Sequence, residues 1–350
     1  MYNAFFELDR SPFGMTPDPA FLFLTAKHRE ALSGLLVAVT GKKGFVVLTG
    51  EAGTGKTTLL SRTLRSLSAD RVQFSYIINP TLSPSEFLEM AMIDFGLEDI
   101  PASKPQRLLR LQTFLLEGHR AGKTSVLVID EAQKLTPEVL EEVRLLTNFE
   151  TADQKLLQIL LAGQPELSGL LNREDMRQLK QRIAIRLRID PLQNGEVKQY
   201  MKARWFRAGG RTLLPFTAEA IAVIGRASKG IPRVINAICD NALTNAYGAD
   251  LKTIDVPQIL DVVNDLQIVM PPDMNITPLK GTAVNGTSMN SAAVNGTAMK
   301  ENGTRPLSPV PVLPRIPASE PVPTTFHSLE RYMPRPAKSP RRWRLRFGAF

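Results

Sequence analysis

Cysteine is almost absent from this chain. Cys239 is its only cysteine, which excludes a disulfide within the chain and any cysteine-rich metal site. The three histidines, at positions 28, 119 and 327, are too widely spread to favour a zinc cluster. No run approaches the ~18 consecutive apolar residues of a membrane-spanning helix, and the first residues lack the basic and apolar regions of a secretory signal. These absences predict a cytoplasmic protein with no transmembrane segment, and they leave open a peripheral position at the inner membrane.

Positive charge is unevenly distributed along the sequence. The chain carries a net charge of +9, but the residues from 272 onward hold 11 Lys or Arg against 4 Asp or Glu and so carry +7. The residues before them carry only +2. The basic character therefore belongs to the C-terminal tail, and it gives little support for nucleic-acid binding by the rest of the chain.

Short apolar runs alternate with helical patterns as far as residue 191, which is typical of a parallel sheet covered on both faces. We predict strands at residues 45–49, 72–78, 125–129, 156–162 and 183–189, the last nearer an edge. Between them we predict helices at residues 56–67, 84–95, 105–120 and 137–148. Four further helical patterns then follow with no strong strand among them, at residues 195–208, 217–227, 232–247 and 256–266.

The chain is therefore predicted to have three parts. Residues 1–191 form an α/β domain, and residues 192–270 form a small helical domain, which we call the lid. Residues 271–350 lose all periodicity and hold 13 of the 26 prolines. Such a segment buries too little apolar surface to offset the entropy of ordering it, so we predict a disordered tail.

One glycine-rich segment matches the phosphate-binding loop G-x-x-x-x-G-K-[ST] at every fixed position. It consists of Gly50, Glu51, Ala52, Gly53, Thr54, Gly55, Lys56 and Thr57, which we call the P-loop, and Thr58 follows it. A predicted strand leads into the loop and a predicted helix leaves it, as the motif requires. Backbone N–H groups and the helix N-terminus would face phosphate oxygens. Lys56 would contact the β- and γ-phosphates of ATP, and Thr57 would bind Mg²⁺.

Two adjacent carboxylates follow the most apolar predicted strand. Asp130 and Glu131 stand directly after residues 126–129, at the end of a strand where ligands bind in such sheets. We predict that Asp130 holds the magnesium ion and that Glu131 activates the attacking water. A solvated turn is the alternative explanation for two neighbouring acids, and the complete P-loop argues against it.

Two arginines are candidates for neutralising charge on the γ-phosphate. Arg182 precedes the last predicted strand, and Arg233 opens a helix of the lid. A cation that arrives in the closed assembly would stabilise the transition state. A surface arginine or a local ion pair remains the alternative for each.

These motifs together resemble the AAA+ ATPases of the general secretion pathway protein A type. The likeness covers about residues 1–268 and includes SPFGMTPDPAFLFL at residues 11–24, HREAL at 28–32 and DEAQ at 130–133. It implies a P-loop NTPase fold of AAA+ type, with a doubly wound parallel sheet and a C-terminal helical lid. It also implies that part of residues 10–30 lies near the nucleotide base. By the same resemblance, Gln164 is the sensor-1 residue, Arg182 a trans-acting arginine finger and Arg233 the sensor-2 arginine.

The leading functional hypothesis is an ATPase that hydrolyses ATP with Mg²⁺ as a nucleotide-dependent homo-oligomer. Turnover would drive assembly or remodelling of a secretion, envelope or polysaccharide export machine, with inner-membrane machinery as the partner. A DNA-associated ATPase is an alternative, because the tail ends in RRWRLRF at residues 341–347, where cations alternate with aromatic rings. The same segment suits an anionic membrane surface. A nucleotide switch that barely hydrolyses ATP is a third possibility, and Glu131 argues against it.

Overall fold

A single parallel sheet lies at the centre of the α/β part. The computed structural model describes residues 2–16, 18–68, 70–78 and 81–270, so the predicted tail lies outside the described residues. The strands are β1 (Phe45–Gly50), β2 (Val72–Ile77), β3 (Thr124–Ile129), β4 (Leu157–Gly163) and β5 (Ile185–Ile189). Their order is β2-β3-β4-β1-β5, and every neighbouring pair is parallel. The predicted parallel α/β sheet is confirmed.

Burial on both faces explains the apolar composition of the central strands. In β3, Val126 and Val128 belong to the core on one face, whereas Leu127 and Ile129 belong to the core on the other. Strand β5 lies at an edge and alternates instead. Its isoleucines and Leu187 turn inward, and Arg186 and Arg188 are exposed.

Helices cover both faces of this sheet. In the described part of the chain, eight α-helices precede β5: α1 (Tyr2–Phe5), α2 (Ala26–Thr40), α3 (Lys56–Ser66), α4 (Pro84–Asp94), α5 (Lys104–Arg120), α6 (Pro137–Leu146), α7 (Glu166–Leu171) and α8 (Arg177–Gln181). Helices α2 and α3 pack on one face, and α4 to α8 pack on the other. Local sequence fixes several of their starts. In α6, for example, the Thr136 hydroxyl accepts from the Val139 N–H, and Pro137 occupies the first turn.

The lid contains four helices, as predicted. They are α9 (Asn194–Arg207), α10 (Ala218–Ala227), α11 (Pro232–Gly248) and α12 (Val256–Asp265). Thr217 and Asp255 cap α10 and α12, and a proline lies in the first turn of α11. Among the described helices, none has the length and apolarity needed to cross a membrane.

The N-terminal segment, residues 2–16 and 18–23, packs on the lid. Tyr2, Phe6, Phe13 and Phe21 are buried in the same core as Trp205 of α9. The backbone continues this attachment, since the N–H of residue 9 donates to the carbonyl oxygen of residue 208 over 2.8 Å. A boundary at residue 191 stays a prediction. The structure adds that the first part of the chain shares a core with the helices beyond that residue.

Candidate nucleotide-binding site

A cavity of about 310 Å³ opens beside the ends of β1 and β3. Three parts of the chain line it: residues 53–58, residues of the N-terminal segment, and residues of the lid. Glu131, which follows β3, also lines it. Ligands of parallel α/β sheets bind at this end of the strands. The cavity therefore brings the predicted P-loop and the residues after β3 to one place.

The P-loop has the backbone conformation that its glycines predict. Gly53 and Gly55 adopt φ values of +80° and +99°, which residues with a side chain rarely reach. Gly55 is the N-cap of α3 and supplies no side-chain hydrogen bond, so the first N–H groups of α3 stay open to a ligand. Gly50, Glu51 and Ala52, the first three residues of the P-loop, lie outside the cavity wall. These features fit a phosphate group.

Lys56 is buried, and its ammonium group bonds to the loop itself. Its Nζ donates to the carbonyl oxygens of Gly50 at 2.8 Å and Glu51 at 3.0 Å. Burial lowers the pKa of Lys56, and the nearby carboxylates of Glu131 and Asp130 oppose that shift. A buried cation held only by neutral carbonyls is suited to a second, anionic partner.

Asp130 and Thr57 form a pair of oxygen donors. Asp130 is buried, and its Oδ2 accepts from the Thr57 hydroxyl at 2.6 Å and from the Tyr76 hydroxyl at 3.1 Å. Burial, followed by the charge of Asp130, raises the pKa of Tyr76, so the phenol keeps its proton. A carboxylate and a hydroxyl suit Mg²⁺. The described residues contain no cluster of three or more His, Cys, Asp or Glu for a metal.

Glu131 has a strained backbone conformation, and the amide of Gln133 holds its side chain. Its φ is +54°, in the left-handed region. Its Oε2 accepts from Gln133 Nε2 at 2.7 Å and from Gln164 Nε2 at 3.4 Å. The Gln164 N–H in turn donates to Gln133 Oε1 at 3.0 Å, which fixes the orientation of the Gln133 amide. A side chain at Gly163 would approach that oxygen to 2.8 Å, so glycine is needed there. Gln164 thus lies beside Glu131, and its role as a sensor stays a prediction.

The two predicted arginines lie in different places. Arg233 lines the cavity, and its Cβ would be 2.7 Å from a Cβ built at Gly53. Arg182 lies outside the cavity wall. Its Nη1 donates to the Arg144 carbonyl at 3.3 Å, to the Thr147 hydroxyl at 2.5 Å and to the Asn148 side chain, all at the C-terminal end of α6. Within one chain, Arg182 thus binds the C-terminal end of α6.

Sequence patterns missed several residues of the cavity wall. His28 is buried, and its Nε2 donates to the Thr54 carbonyl oxygen at 3.0 Å, which ties the start of α2 to the P-loop. Tyr200, Arg204 and Asn236 of the lid also line the cavity. The family resemblance had implied a role for residues 10–30 near the base. Seven residues of this stretch besides His28 line the cavity: Gly14, Met15, Thr16, Asp18, Phe21, Leu22 and Phe23. No local pattern marks the lid residues.

Comparisons with known proteins agree with this geometry. A family model described as an AAA domain matches residues 39–171. General secretion pathway protein A of Aeromonas hydrophila is 42% identical over 248 residues, which cover 71% of this chain and 45% of that protein. The chain therefore spans less than half the length of this relative.

Solved structures also share the fold. The Aeropyrum pernix ORC2 protein is 17% identical, with a TM-score of 0.57 and coverage of 73% of this chain and 72% of its own. Drosophila ORC bound to DNA is 20% identical, with a TM-score of 0.59 and coverage of 75% and 66%. At these identities the likeness shows the fold alone.

Proposed function

We propose that this chain, which has the AAA+ P-loop NTPase fold and is similar to general secretion pathway protein A, binds ATP with magnesium and hydrolyses it. One observation supports the proposal most directly. A single cavity adjoins the P-loop, the Thr57–Asp130 pair, Glu131 and Arg233. Each of these features has an ordinary structural explanation by itself, but phosphoryl transfer requires all of them together.

Binding of the phosphates would rest on the P-loop and α3. The uncapped N–H groups at the start of α3 and the buried Lys56 ammonium would bind the same anion. When phosphate enters, Lys56 exchanges a neutral carbonyl for a charged oxygen. That exchange favours binding because charge-assisted hydrogen bonds are the stronger kind.

Thr57 and Asp130 would hold the magnesium ion, which neutralises charge on the phosphates when bound. Tyr76 keeps the Asp130 carboxylate oriented by donating to Oδ2. Arg233 would approach the γ-phosphate from the lid, since its backbone N–H donates to the Gly53 carbonyl oxygen, with 3.4 Å between nitrogen and oxygen. The position of the lid would thereby depend on the nucleotide.

Glu131 would take the proton from the attacking water. Its Oε2 is already engaged by Gln133, so Oε1 is the oxygen left to accept from water. Gln133 would position this carboxylate and link it to Gln164 at the end of β4. A base fixed in this way loses little freedom when the substrate binds.

For the work that hydrolysis drives, we propose assembly or remodelling of envelope or secretion machinery, in a homo-oligomer. The motive is the 42% identity to General secretion pathway protein A. In cells, a Glu131→Gln chain should remain ATP-bound and accumulate on its target. Cross-linking to inner-membrane machinery above the wild-type level is expected. Accumulation on nucleoid DNA alone would contradict this assignment and favour the DNA-associated alternative.

Replacing Arg182 tests whether neighbouring chains complete the site. Arg182→Ala should bind ATP like the wild type but lose the rise of specific activity with protein concentration, with turnover lower by about 10³-fold or more at high concentration. The reason is that a cation supplied by a neighbour would be missing from the transition state. ATPase rates across a dilution series provide the measurement. Arg186→Ala, an exposed arginine on β5, is the matched control, and a surviving concentration dependence in Arg182→Ala would exclude the role.

A further inference from the structure

A buried arginine of the lid faces the cavity without a carboxylate partner. Arg204 is 8% exposed, and it makes no ion pair with any described residue. Its Nε donates to the Pro12 carbonyl oxygen at 2.5 Å, and its guanidinium lies 4.6 Å from the centre of the Phe21 ring. A buried charge satisfied only by neutral groups is expensive, so such a residue needs a reason beyond packing.

Arg204 sets the direction of a chain of hydrogen bonds. Guanidinium groups only donate, so the Tyr200 hydroxyl accepts from Arg204 Nη1 over 3.2 Å. Tyr200 must then donate its own proton to Asn236 Oδ1, 2.7 Å away. This contact fixes the orientation of the Asn236 amide. A flipped amide would present its NH₂ group to a hydroxyl that already accepts, and the phenolic proton would lose its acceptor.

The consequence is a donor of fixed direction beside the cavity. Asn236 is 8% exposed and lines the cavity, and its Nδ2 forms no hydrogen bond with another described residue. Asn236 follows Arg233 by three residues on α11. It therefore lies about 4.5 Å further along the helix axis, away from the end of α11 that contacts the P-loop. Aromatic rings stand nearby, with Phe23 packed edge-on against Tyr200 at 5.8 Å between centroids. A flat, partly apolar group with polar edges suits such surroundings.

We infer that the Arg204–Tyr200–Asn236 relay reads the base of the bound nucleotide and selects adenine over guanine. This inference rests on the proposed binding of ATP. Adenine presents an acceptor ring nitrogen, N1, next to its donor amino group, whereas guanine presents the reverse order, an N1–H donor next to the O6 acceptor. A free asparagine could flip to suit either base. With its amide fixed by Tyr200, Asn236 matches the adenine order, donating from Nδ2 and accepting on the second lone pair of Oδ1.

Equilibrium binding of three probes tests the relay: ATP, GTP and inorganic tripolyphosphate, which has no base. The wild type should prefer ATP to GTP by about 10-fold or more, because the wrong base leaves a buried donor unpaired. Tyr200→Phe, which frees the amide to flip, and Asn236→Asp, which replaces the donor with an acceptor, should both reduce that ratio towards one. Tripolyphosphate affinity should stay unchanged in both variants, which also shows that the P-loop remains folded.

Two positions of α11 provide matched controls. Tyr247→Phe and Asn241→Asp alter exposed positions of α11 and should keep the wild-type ratio. The inference is overturned if Tyr200→Phe and Asn236→Asp keep the wild-type ratio of ATP to GTP affinity, including by an equal loss of both affinities. It is also overturned if the wild type shows no base preference. A wild type that binds neither ATP nor tripolyphosphate would instead refute the proposed function, so the two failures are distinguishable.

Discussion

Lys56→Ala is expected to weaken ATP binding by about 10–100-fold, the range for losing hydrogen bonds to a charged group. The substitution removes the only P-loop cation, while the backbone N–H groups at the start of α3 remain. Binding should therefore weaken without vanishing. Titration with a fluorescent ATP analogue measures the effect. Lys43→Ala, an exposed lysine just before β1, is the matched control and should bind like the wild type.

The same lysine predicts a pH dependence of binding. Burial lowers the pKa of free Lys56 below its ordinary value of 10.5. A bound phosphate favours the ammonium form and so raises that pKa again. Affinity should therefore fall as the pH rises through the pKa of the free protein, earlier than for an exposed lysine. Lys56→Arg, whose charge persists in alkaline buffer, should remove this pH dependence. If both proteins lose the same affinity for ATP at alkaline pH, the group that titrates is not Lys56.

Glu131→Gln is expected to retain ATP and to lose turnover by about 10²–10⁴-fold, the contribution of a general base. Glutamine has nearly the same shape, so the contacts with Gln133 and Gln164 change little, but its amide does not take a proton from water. The dissociation constant for ATP and the rate of phosphate release should be measured on the same preparation. Glu219→Gln, at an exposed position of α10, is the control. Equal turnover in Glu131→Gln and the wild type would remove Glu131 from the role of base.

The sheet and the P-loop were predictable because their signals are local. A strand buried on both faces must be apolar along its length, as residues 126–129 are, and a loop that wraps phosphate needs glycine where φ is positive. Helix α2 was not predicted. The pair Ser33 and Gly34 in its middle lowers helix propensity. The structure explains the glycine, since a Cβ at Gly34 would meet Leu187 of β5 at 2.7 Å. Packing against the sheet thus decides what local propensity does not.

The lid side of the site could not be predicted because its contacts join distant parts of the chain. Arg204 bonds to Pro12, and Tyr200 bonds to Asn236. No spacing rule connects such pairs, and a buried arginine in a helix has the same sequence pattern as an exposed one. Arg182 shows the converse case. The family resemblance assigns it a role between chains, whereas its contacts within one chain are those of a helix end.

Phosphate release by the 350-residue chain tests the central claim most directly. Rates should be measured with MgATP, with and without duplex DNA, for the wild type and for Glu131→Gln, against a protein-free blank. We expect magnesium-dependent turnover in the wild type, no turnover above background in the variant, and no requirement for DNA. Equal release by the two proteins, when both bind ATP, would contradict the account.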